Sequence, residues 1–155
     1  MQESKFYRTN ILPSLPIHQI YIWFVTSDNK MVLVKTKSGS YQLPGGKPLL
    51  NETKEDTLSR ELFEESGIKI ENMKPQLFGY YLVKNDPYWP EPEYLQLRYF
   101  FKSNRNSTDF TLETNEPDDN DKIVKAEFIN ASQIFDYITW MKVEPDEYNA
   151  FSSMI

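Results

Sequence analysis

The stretch from Gly46 to Ile68 reads GKPLLNETKEDTLSRELFEESGI and governs the fold around it. We predict a helix over Asn51 to Gly67. Thr53 is placed to be its N-cap, with Asp56 three residues on as a variant of the capping box. Gly67 suits the left-handed position that ends a helix. The sequence therefore predicts a helix with defined ends inside this stretch.

Three glutamates share one face of the predicted helix. Glu61, Glu64 and Glu65 stand at positions i, i+3 and i+4, within roughly 100° of arc. Like charges at these spacings repel each other, so the arrangement stabilises nothing by itself. A hard divalent cation reverses this, because Mg²⁺ takes carboxylate oxygens and bridges them to substrate phosphates. The pattern predicts half of a phosphate-transfer site, with Leu58 and Leu62 anchoring the helix on a sheet.

A guanidinium and a glycine turn accompany these acids. Arg60 can hold nearby carboxylates through bidentate hydrogen bonds, so we expect it to orient them, with Glu52 as a partner. The turn Pro44-Gly45-Gly46 lets the backbone approach a ligand or metal closely. We expect the carbonyl of Gly45 to be available as a further metal ligand, and Gly46 to support the turn.

The joint pattern resembles the Nudix box, G-x5-E-x7-R-E-U-x-E-E-x-G-U, in which U is a bulky aliphatic residue. Every fixed position is matched, by Gly46, Glu52, Arg60, Glu61, Leu62, Glu64, Glu65, Gly67 and Ile68. The preceding Tyr41-Gln42-Leu43-Pro44-Gly45-Gly46 is similar to the aromatic-x-Leu-Pro-Gly-Gly segment that leads into the box in this family. By resemblance, the chain is identified as a member of the Nudix hydrolase family.

The resemblance implies a fold, a reaction and a cofactor. Members fold as an α/β/α sandwich around a central mixed β-sheet, of the α/β (α+β) class. They hydrolyse a phosphoanhydride bond in a nucleoside diphosphate linked to another moiety, as in a nucleoside triphosphate, a nucleotide sugar, ADP-ribose or a dinucleoside polyphosphate. The cofactor is Mg²⁺, or Mn²⁺ in some members. The expected partner is a small nucleotide-type substrate, and a homodimer is an open option because members are often dimers.

Position by position, the resemblance also implies roles for the acids of the box. Glu61, Glu64 and Glu65 would bind the divalent metal, with Glu61 and Glu64 taking part in catalysis. Arg60 would act in catalysis by orienting these acids. Glu52 would pair with Arg60 or support the metal shell.

The general base is a separate question with two answers. In some members of the family it is a box glutamate, and in others it comes from a loop far downstream. The loop from Glu113 to Asp121 offers several acids in this chain. Among them we expect Glu116 to be the base.

Aromatic residues near the loop from Asn85 to Glu93 are candidates for substrate binding. Tyr88, Trp89 and Tyr94 could stack on a nucleobase, since every base has a π-face. The alternative is that these rings pack beneath a proline-rich loop. His18 is the single histidine of the chain, and we expect it to be structural.

Outside the box, β-branched and alternating stretches predict further strands, over Ile17 to Thr26, Met31 to Lys37, Tyr41 to Leu43, Pro75 to Lys84, Leu95 to Lys102 and Lys122 to Ile129. A second helix is predicted over Ala131 to Trp140. Residues 1–16 are expected to form an N-terminal arm that lies on the domain. Because strands and helices do not alternate regularly, we predict a mixed sheet with helices packed on it, in a single domain of residues 1–155.

Composition excludes several classes of function. The chain has no cysteine, which rules out disulfides and thiolate metal sites. Its net charge of −6 argues against an extended surface for duplex nucleic acid. No apolar run reaches the roughly 18 residues that a membrane span needs, and residues 1–10 lack the apolar core of a signal peptide. We therefore expect a cytoplasmic protein without a membrane partner.

Two other functions are compatible with the same box. A non-catalytic Nudix-like module would bind or sense a ligand, although such modules usually lose box acids that this chain keeps. Removal of pyrophosphate from an RNA 5′ end is a second alternative, which the acidic balance of the chain disfavours.

Overall fold

The computed structural model describes residues 1–70, 74–115 and 123–155. In this part of the chain, eight strands form one mixed sheet. They are β1 (Glu3–Arg8), β2 (Ile17–Val25), β3 (Lys30–Thr36), β4 (Tyr41–Gln42), β5 (Gly45–Gly46), β6 (Gln76–Lys84), β7 (Glu93–Lys102) and β8 (Ile123–Asn130). The order is β1-β6-β7-β2-β3-β4, with β5 paired to β2 and β8 paired to β3. The pair β2–β7 is parallel and the other pairs are antiparallel.

Helices cover both faces of this sheet. Helix α1 (Lys54–Ser66) packs on one face, and α2 (Ile134–Tyr137), α3 (Trp140–Val143) and α4 (Asp146–Ser152) pack on the other. The arrangement confirms the α/β/α sandwich with a mixed central sheet. No helix in the described part of the chain is long and apolar enough to span a membrane.

The alternation of side chains along β2 explains why the sheet is covered twice. Successive residues of a strand point to opposite faces. Ile20 and Ile22 belong to the buried cluster that contains Leu62 of α1. Trp23 points the other way and stacks on Phe151 of α4, with 4.1 Å between the ring centroids. A strand that is apolar on both faces in this way must lie inside the sheet.

The N-terminal arm contains a strand that the sequence analysis does not predict. β1 pairs antiparallel with β6, with Phe6 opposite Tyr81. Most of its side chains are exposed, and only Phe6 is half-buried. Because β1 is an edge strand with mixed polar residues, it lacks the hydrophobic alternation on which strand prediction depends.

The prediction of one continuous helix over Ala131 to Trp140 is wrong. The segment is a 3₁₀ turn over Ala131–Gln133 followed by α2, and α3 starts only at Trp140. The backbone leaves the helical region at Ile138, with φ −114° and ψ 84°. The break falls at Ile138 and Thr139, whose β-branched side chains lower helix propensity.

The turn between β2 and β3 is tied to the loop that follows β7 by Asp28. Its carboxylate accepts hydrogen bonds from the hydroxyl of Thr26 (2.6 Å) and from the backbone N–H (2.9 Å) and hydroxyl (2.6 Å) of Ser107. The bonds from Ser107 and Thr26 hold the pKa of Asp28 well below its usual value of 3.8.

We expect Asp28→Asn to lower the melting temperature at pH 7. A depressed pKa in the folded state stabilises the fold above the unfolded pKa, and this contribution is lost as the pH falls through the folded pKa. The difference in melting temperature between the wild type and the variant should therefore shrink when thermal unfolding is repeated below pH 3.8. Asp136→Asn, at an exposed aspartate, is the control and should show no such trend. If the difference in melting temperature stayed constant from pH 7 to pH 3, the ionised carboxylate of Asp28 would not be what stabilises this turn.

Candidate functional site

Helix α1 has the two ends that its sequence predicts. The side chain of Thr53 accepts a hydrogen bond from the N–H of Asp56 (3.0 Å), and Asp56 accepts one from the N–H of Thr53 (3.1 Å). Gly67 adopts φ +79°, and its N–H donates to the carbonyl of Phe63 (2.8 Å). The capping box and the glycine cap are confirmed, and the helix begins at Lys54 rather than at Asn51. The acids lie in its second half, where the backbone is fixed at both ends.

The buried face of α1 places two of the three acids against the sheet. Leu58 and Leu62 are fully buried in the cluster beneath the helix. Glu61 and Glu65 are also buried, and Glu65 is only 3% exposed. Glu64 keeps more contact with solvent. A buried carboxylate needs hydrogen-bond donors or a cation nearby, so the surroundings of these acids decide what they can do.

Gly45 supplies a donor to one of these acids. Its backbone N–H donates to Oε1 of Glu65 at 2.8 Å. Gly45 adopts φ +152° within β5, which pairs with β2 at Tyr21. A Cβ at this position would lie 2.1 Å from the carbonyl oxygen of Ile20. Only glycine therefore allows the close approach of β5 to β2 that brings its N–H to Glu65.

Gly46 makes room for the second acid. A Cβ at Gly46 would lie 2.7 Å from Cδ of Glu61. The glycine pair that we predict to be a turn thus forms a short strand with an acid against each residue. Burial raises the pKa of Glu61, and the neighbouring Arg60 acts in the opposite direction. The carboxyl of Glu61 lies where a positive charge would stabilise its ionised form.

Arg60 donates hydrogen bonds to three acids of the cluster. Its guanidinium binds Glu52 through two bonds, from Nε (2.7 Å) and from Nη2 (3.1 Å). Nη1 donates to Glu61 (2.7 Å) and to Glu64 (3.3 Å), and Nη2 also donates to the carbonyl of Lys47 (3.0 Å). The bonds from Arg60 lower the pKa of Glu52 to about 2. The ion pair between Glu52 and Arg60 is therefore present, and the orienting role of Arg60 in catalysis stays a prediction.

The donor chemistry of the cluster fits a hard divalent cation. Glu61 and Glu65 lie side by side against the Gly45–Gly46 strand, and Glu64 reaches the same guanidinium as Glu61. Carboxylate oxygens gathered on one helix face are the ligands that Mg²⁺ prefers. Within residues 1–70, 74–115 and 123–155, no group of three His, Cys, Asp or Glu side chains is gathered closely enough to hold a metal as it stands. Carboxylates now directed at Arg60 would have to turn towards the ion.

The profile of the NUDIX domain matches residues 17–149. The chain belongs to this family. It is 33% identical over 90 residues to an ADP-ribose pyrophosphatase of Methanocaldococcus jannaschii, covering 56% of this chain and 50% of that protein. It is 34% identical over 61 residues to a MutT-like protein of Streptomyces ambofaciens, covering 37% of this chain and 40% of that protein. The chain thus spans half or less of the length of these curated relatives.

A solved structure shows the same fold over nearly the whole NUDIX chain. The pyrophosphohydrolase of Bacillus subtilis superposes with a TM-score of 0.67 and 18% sequence identity, covering 97% of this chain and 90% of that chain. At this identity the likeness speaks for the fold alone. β1 lies before the region that the NUDIX profile matches.

The downstream loop approaches the C-terminal end of α1 in the NUDIX domain. The N–H of Glu113 donates to the carbonyl of Ser66 (2.9 Å), and the N–H of Asn115 donates to the carbonyl of Glu64 (2.6 Å). Glu116, the predicted base, lies outside the described residues. Its role stays a prediction.

Two of the predicted substrate-binding rings differ sharply in exposure. Tyr94 is buried, and its hydroxyl donates to Asp86 at 2.6 Å. Burial raises the pKa of Tyr94, and the hydrogen bond to Asp86 raises it further. Tyr88 is 88% exposed and its ring is free to meet a ligand. The stacking role of both residues stays a prediction.

Trp89 contacts a residue that adjoins the glycine pair. Lys47, which directly follows Gly46, holds its ammonium 4.1 Å from the centroid of the Trp89 ring. Trp89 also contacts His18, whose ring lies 4.2 Å from the rings of both Trp89 and Tyr94. His18 also lies 3.2 Å from Glu91. The aromatic loop is thus packed against His18 of β2 and against Lys47, which follows the glycine pair.

Sequence reasoning missed a cavity on the face of the sheet opposite to α1. The cavity has a volume of about 180 Å³, and the residues that line it are Gln19, Tyr21, Tyr41, Gln42, Leu43, Gln96, Arg98, Ile138, Trp140 and Met141. Gln19 pairs with Gln96 and Tyr21 with Arg98 across β2 and β7. Tyr21 also pairs with Gly45 across β2 and β5, so one residue that lines the cavity lies next to the glycine strand. The sequence does contain a signal for this cavity, because polar residues recur at alternate positions of the otherwise apolar strands β2 and β7.

Proposed function

We propose that this NUDIX domain hydrolyses a phosphoanhydride bond in a nucleoside diphosphate linked to another group. The observation that carries the proposal is the gathering of Glu61, Glu64 and Glu65 around Arg60 and the glycine strand. One curated relative is named an ADP-ribose pyrophosphatase, which supports the reaction class. The four glutamates of the cluster carry more negative charge than Arg60 neutralises, and a phosphate-handling metal site explains the excess.

Glu61, Glu64 and Glu65, with the carbonyl of Gly45, would hold Mg²⁺ or Mn²⁺. The cation would neutralise phosphate charge and polarise a phosphoryl oxygen when bound. Arg60, fixed by Glu52, would keep the carboxylates oriented through its rigid fork of donors.

The proton of the attacking water needs an acceptor on the protein. In the reaction the water oxygen forms a bond to the attacked phosphorus while the P–O bond from that phosphorus to the bridging oxygen breaks. One product carries the oxygen of the water, and the other leaves with the bridging oxygen. Glu64 is the more exposed of the three acids and can take the proton that the water loses. Glu116 is the alternative acceptor.

The nucleoside part of the substrate would lie in the cavity floored by β2 and β7. Its floor and walls combine amides with aromatic rings, which suits a flat polar ligand. Trp89 lies beside Lys47, the residue that follows the glycine strand. We propose that Trp89 and Tyr88 contact the group on the far side of the phosphates, with Tyr94 fixing their loop.

The experiment is a substrate screen of the purified chain. Nucleoside triphosphates, nucleotide sugars, ADP-ribose and dinucleoside polyphosphates are each incubated with Mg²⁺ or with EDTA, and the released phosphates are measured. We expect turnover of at least one class with Mg²⁺ and none with EDTA. Tight nucleotide binding without turnover in any class would favour a ligand-binding module instead.

Metal binding gives a separate prediction. We expect millimolar Mg²⁺ or Mn²⁺ to raise the melting temperature, because a ligand that binds the folded state stabilises it by mass action, by about 2.7 kcal/mol at 100 times its dissociation constant. Glu65→Gln should reduce the shift, and Glu55→Gln, at an exposed position of the same helix, should keep it. An equal shift in all three proteins would place the ion elsewhere.

A further inference from the structure

A buried arginine forms the floor of the cavity on the sheet. Arg98 is 6% exposed, and its Nε donates to Oε2 of Glu147 at 2.8 Å. Glu147 is fully buried and also accepts a bond from the indole of Trp23 (2.8 Å). The guanidinium lies between the rings of Tyr21 and Tyr81, at 4.8 and 4.9 Å from their centroids. Its plane is therefore held from both sides and at one end.

The other end of Arg98 has donors to spare. Nη1 makes one long bond, to the carbonyl of Leu97 at 3.3 Å. Among the residues that the structure describes, no atom accepts a hydrogen bond from Nη2. A ligand that supplies acceptors to these donors therefore gains charge-assisted hydrogen bonds at this site. Arg98 lines the cavity described above, and its free donors are the strongest polar groups there.

The size and lining of the space favour a single flat ring system. A second cavity adjoins the first, and both are lined by Gln96, Arg98 and Trp140. Each has a volume of about 180 Å³. This is below the roughly 300–1,000 Å³ of sites that enclose a whole drug-sized ligand. The rings of Tyr21 and Tyr41, with the partly exposed indole of Trp140, provide flat apolar walls.

The charges around the space favour a neutral ligand over an anion. Glu147 offsets the charge of Arg98, and the carboxylate of Glu144 lines the second cavity. A phosphate at this position would meet two acids for one guanidinium. A neutral ring that offers adjacent acceptors would meet free N–H groups without that repulsion.

We propose that the cavity binds guanine as the base of the nucleotide substrate, with Arg98 donating to O6 and N7. This inference rests on the proposed function. The two acceptors stand side by side on the edge of guanine and match the fork of an arginine. Adenine offers one acceptor and an amino group on the same edge, and its amino hydrogens would face the donors of Arg98. The arginine thus selects a guanine nucleotide over an adenine nucleotide.

Binding of nucleoside monophosphates to the wild-type chain tests the selection directly. GMP and AMP are titrated calorimetrically in the presence of EDTA, so that turnover plays no part. We expect GMP to bind at least about tenfold more tightly than AMP, as for one bidentate contact to a base. Equal binding, or tighter binding of AMP, would overturn the inference.

Kinetics separate this inference from the function on which it rests. GTP and GDP-linked sugars should be hydrolysed with a kcat/KM about tenfold above that of their adenine counterparts. Turnover without preference for guanine would refute the role of Arg98 and leave the hydrolase assignment standing. Selective binding of GMP with no turnover of any substrate would support the role of Arg98 and refute the hydrolase assignment.

Variants at Arg98 complete the test. Arg98→Gln should abolish the preference for GMP, because glutamine matches the edge of adenine. Since this change leaves the buried Glu147 without its cationic partner, the double variant with Glu147→Gln is measured as well. Trp140→Ala should weaken GMP and AMP alike, and Arg105→Gln, at an arginine that does not line either cavity, is the control. A preference that persists in a folded Arg98→Gln protein would contradict the proposal.

Discussion

Glu64→Gln and Glu65→Gln are each expected to reduce kcat by about 10²-fold or more without unfolding the chain. Both changes remove a negative charge from the proposed metal site at nearly constant volume. Glutamine at position 65 keeps an oxygen that can accept the bond from the N–H of Gly45. At position 64 the bond from Arg60 is long, at 3.3 Å, so little structure depends on it. Steady-state kinetics with the substrate found by screening measure the loss.

The matched control lies on the same helix. Glu55 is exposed in the first turn of α1, and Glu55→Gln should keep normal activity. Circular dichroism and the melting temperature of all three variants should stay near those of the wild type. If Glu64→Gln or Glu65→Gln turned over substrate at the normal Mg²⁺-dependent rate, its acid would not be a metal ligand.

Gly45→Ala is expected to destabilise the fold by about 3 kcal/mol or more. The added Cβ would lie 2.1 Å from the carbonyl oxygen of Ile20 and 2.8 Å from Cα of Tyr21, and both are backbone atoms that cannot turn aside. The φ of +152° is unfavourable for alanine as well. β5 would have to separate from β2, which also removes the donor to Glu65. Urea unfolding measures the loss as a shift of the midpoint.

Variants at two other glycines separate the effect of backbone strain from that of steric contact. Gly39 has φ +96°, and an added Cβ would have no neighbour within 4 Å, so Gly39→Ala reports backbone strain alone. Gly46→Ala meets the carboxylate of Glu61, which can move, and should reduce activity more than stability. If Gly45→Ala cost no more stability than Gly39→Ala, the close contact with β2 would not matter.

The parts of the site that lie within one stretch of sequence were predictable. The ends of α1 depend on Thr53 and Gly67, whose capping preferences act over three or four residues. The spacing of Glu61, Glu64 and Glu65 fixes their common face, because helix geometry is regular. The same stretch contains Arg60 and Glu52, and that ion pair also follows from local spacing.

Contacts between distant residues were not predictable in this way. Glu147 lies 49 residues from Arg98 and 124 residues from Trp23, yet its carboxylate binds both. Nothing local to Glu147 marks it as buried, since it stands among polar residues in a short helix. The glycine strand β5 is a similar case, because two residues carry no periodic pattern and their pairing depends on β2. Tertiary packing decides such features.

The placement of two indoles gives the protein a built-in optical reporter. Trp23 is sealed in the core against Phe151, whereas Trp140 is 46% exposed at the rim of the cavity. Emission from an enclosed indole follows the integrity of the core, and emission from a solvated one is open to collisional quenchers. Trp89 is the third tryptophan of the chain, so the measurement uses a Trp89→Phe background. In that background, quenching by acrylamide or iodide distinguishes filling of the cavity from loss of the fold.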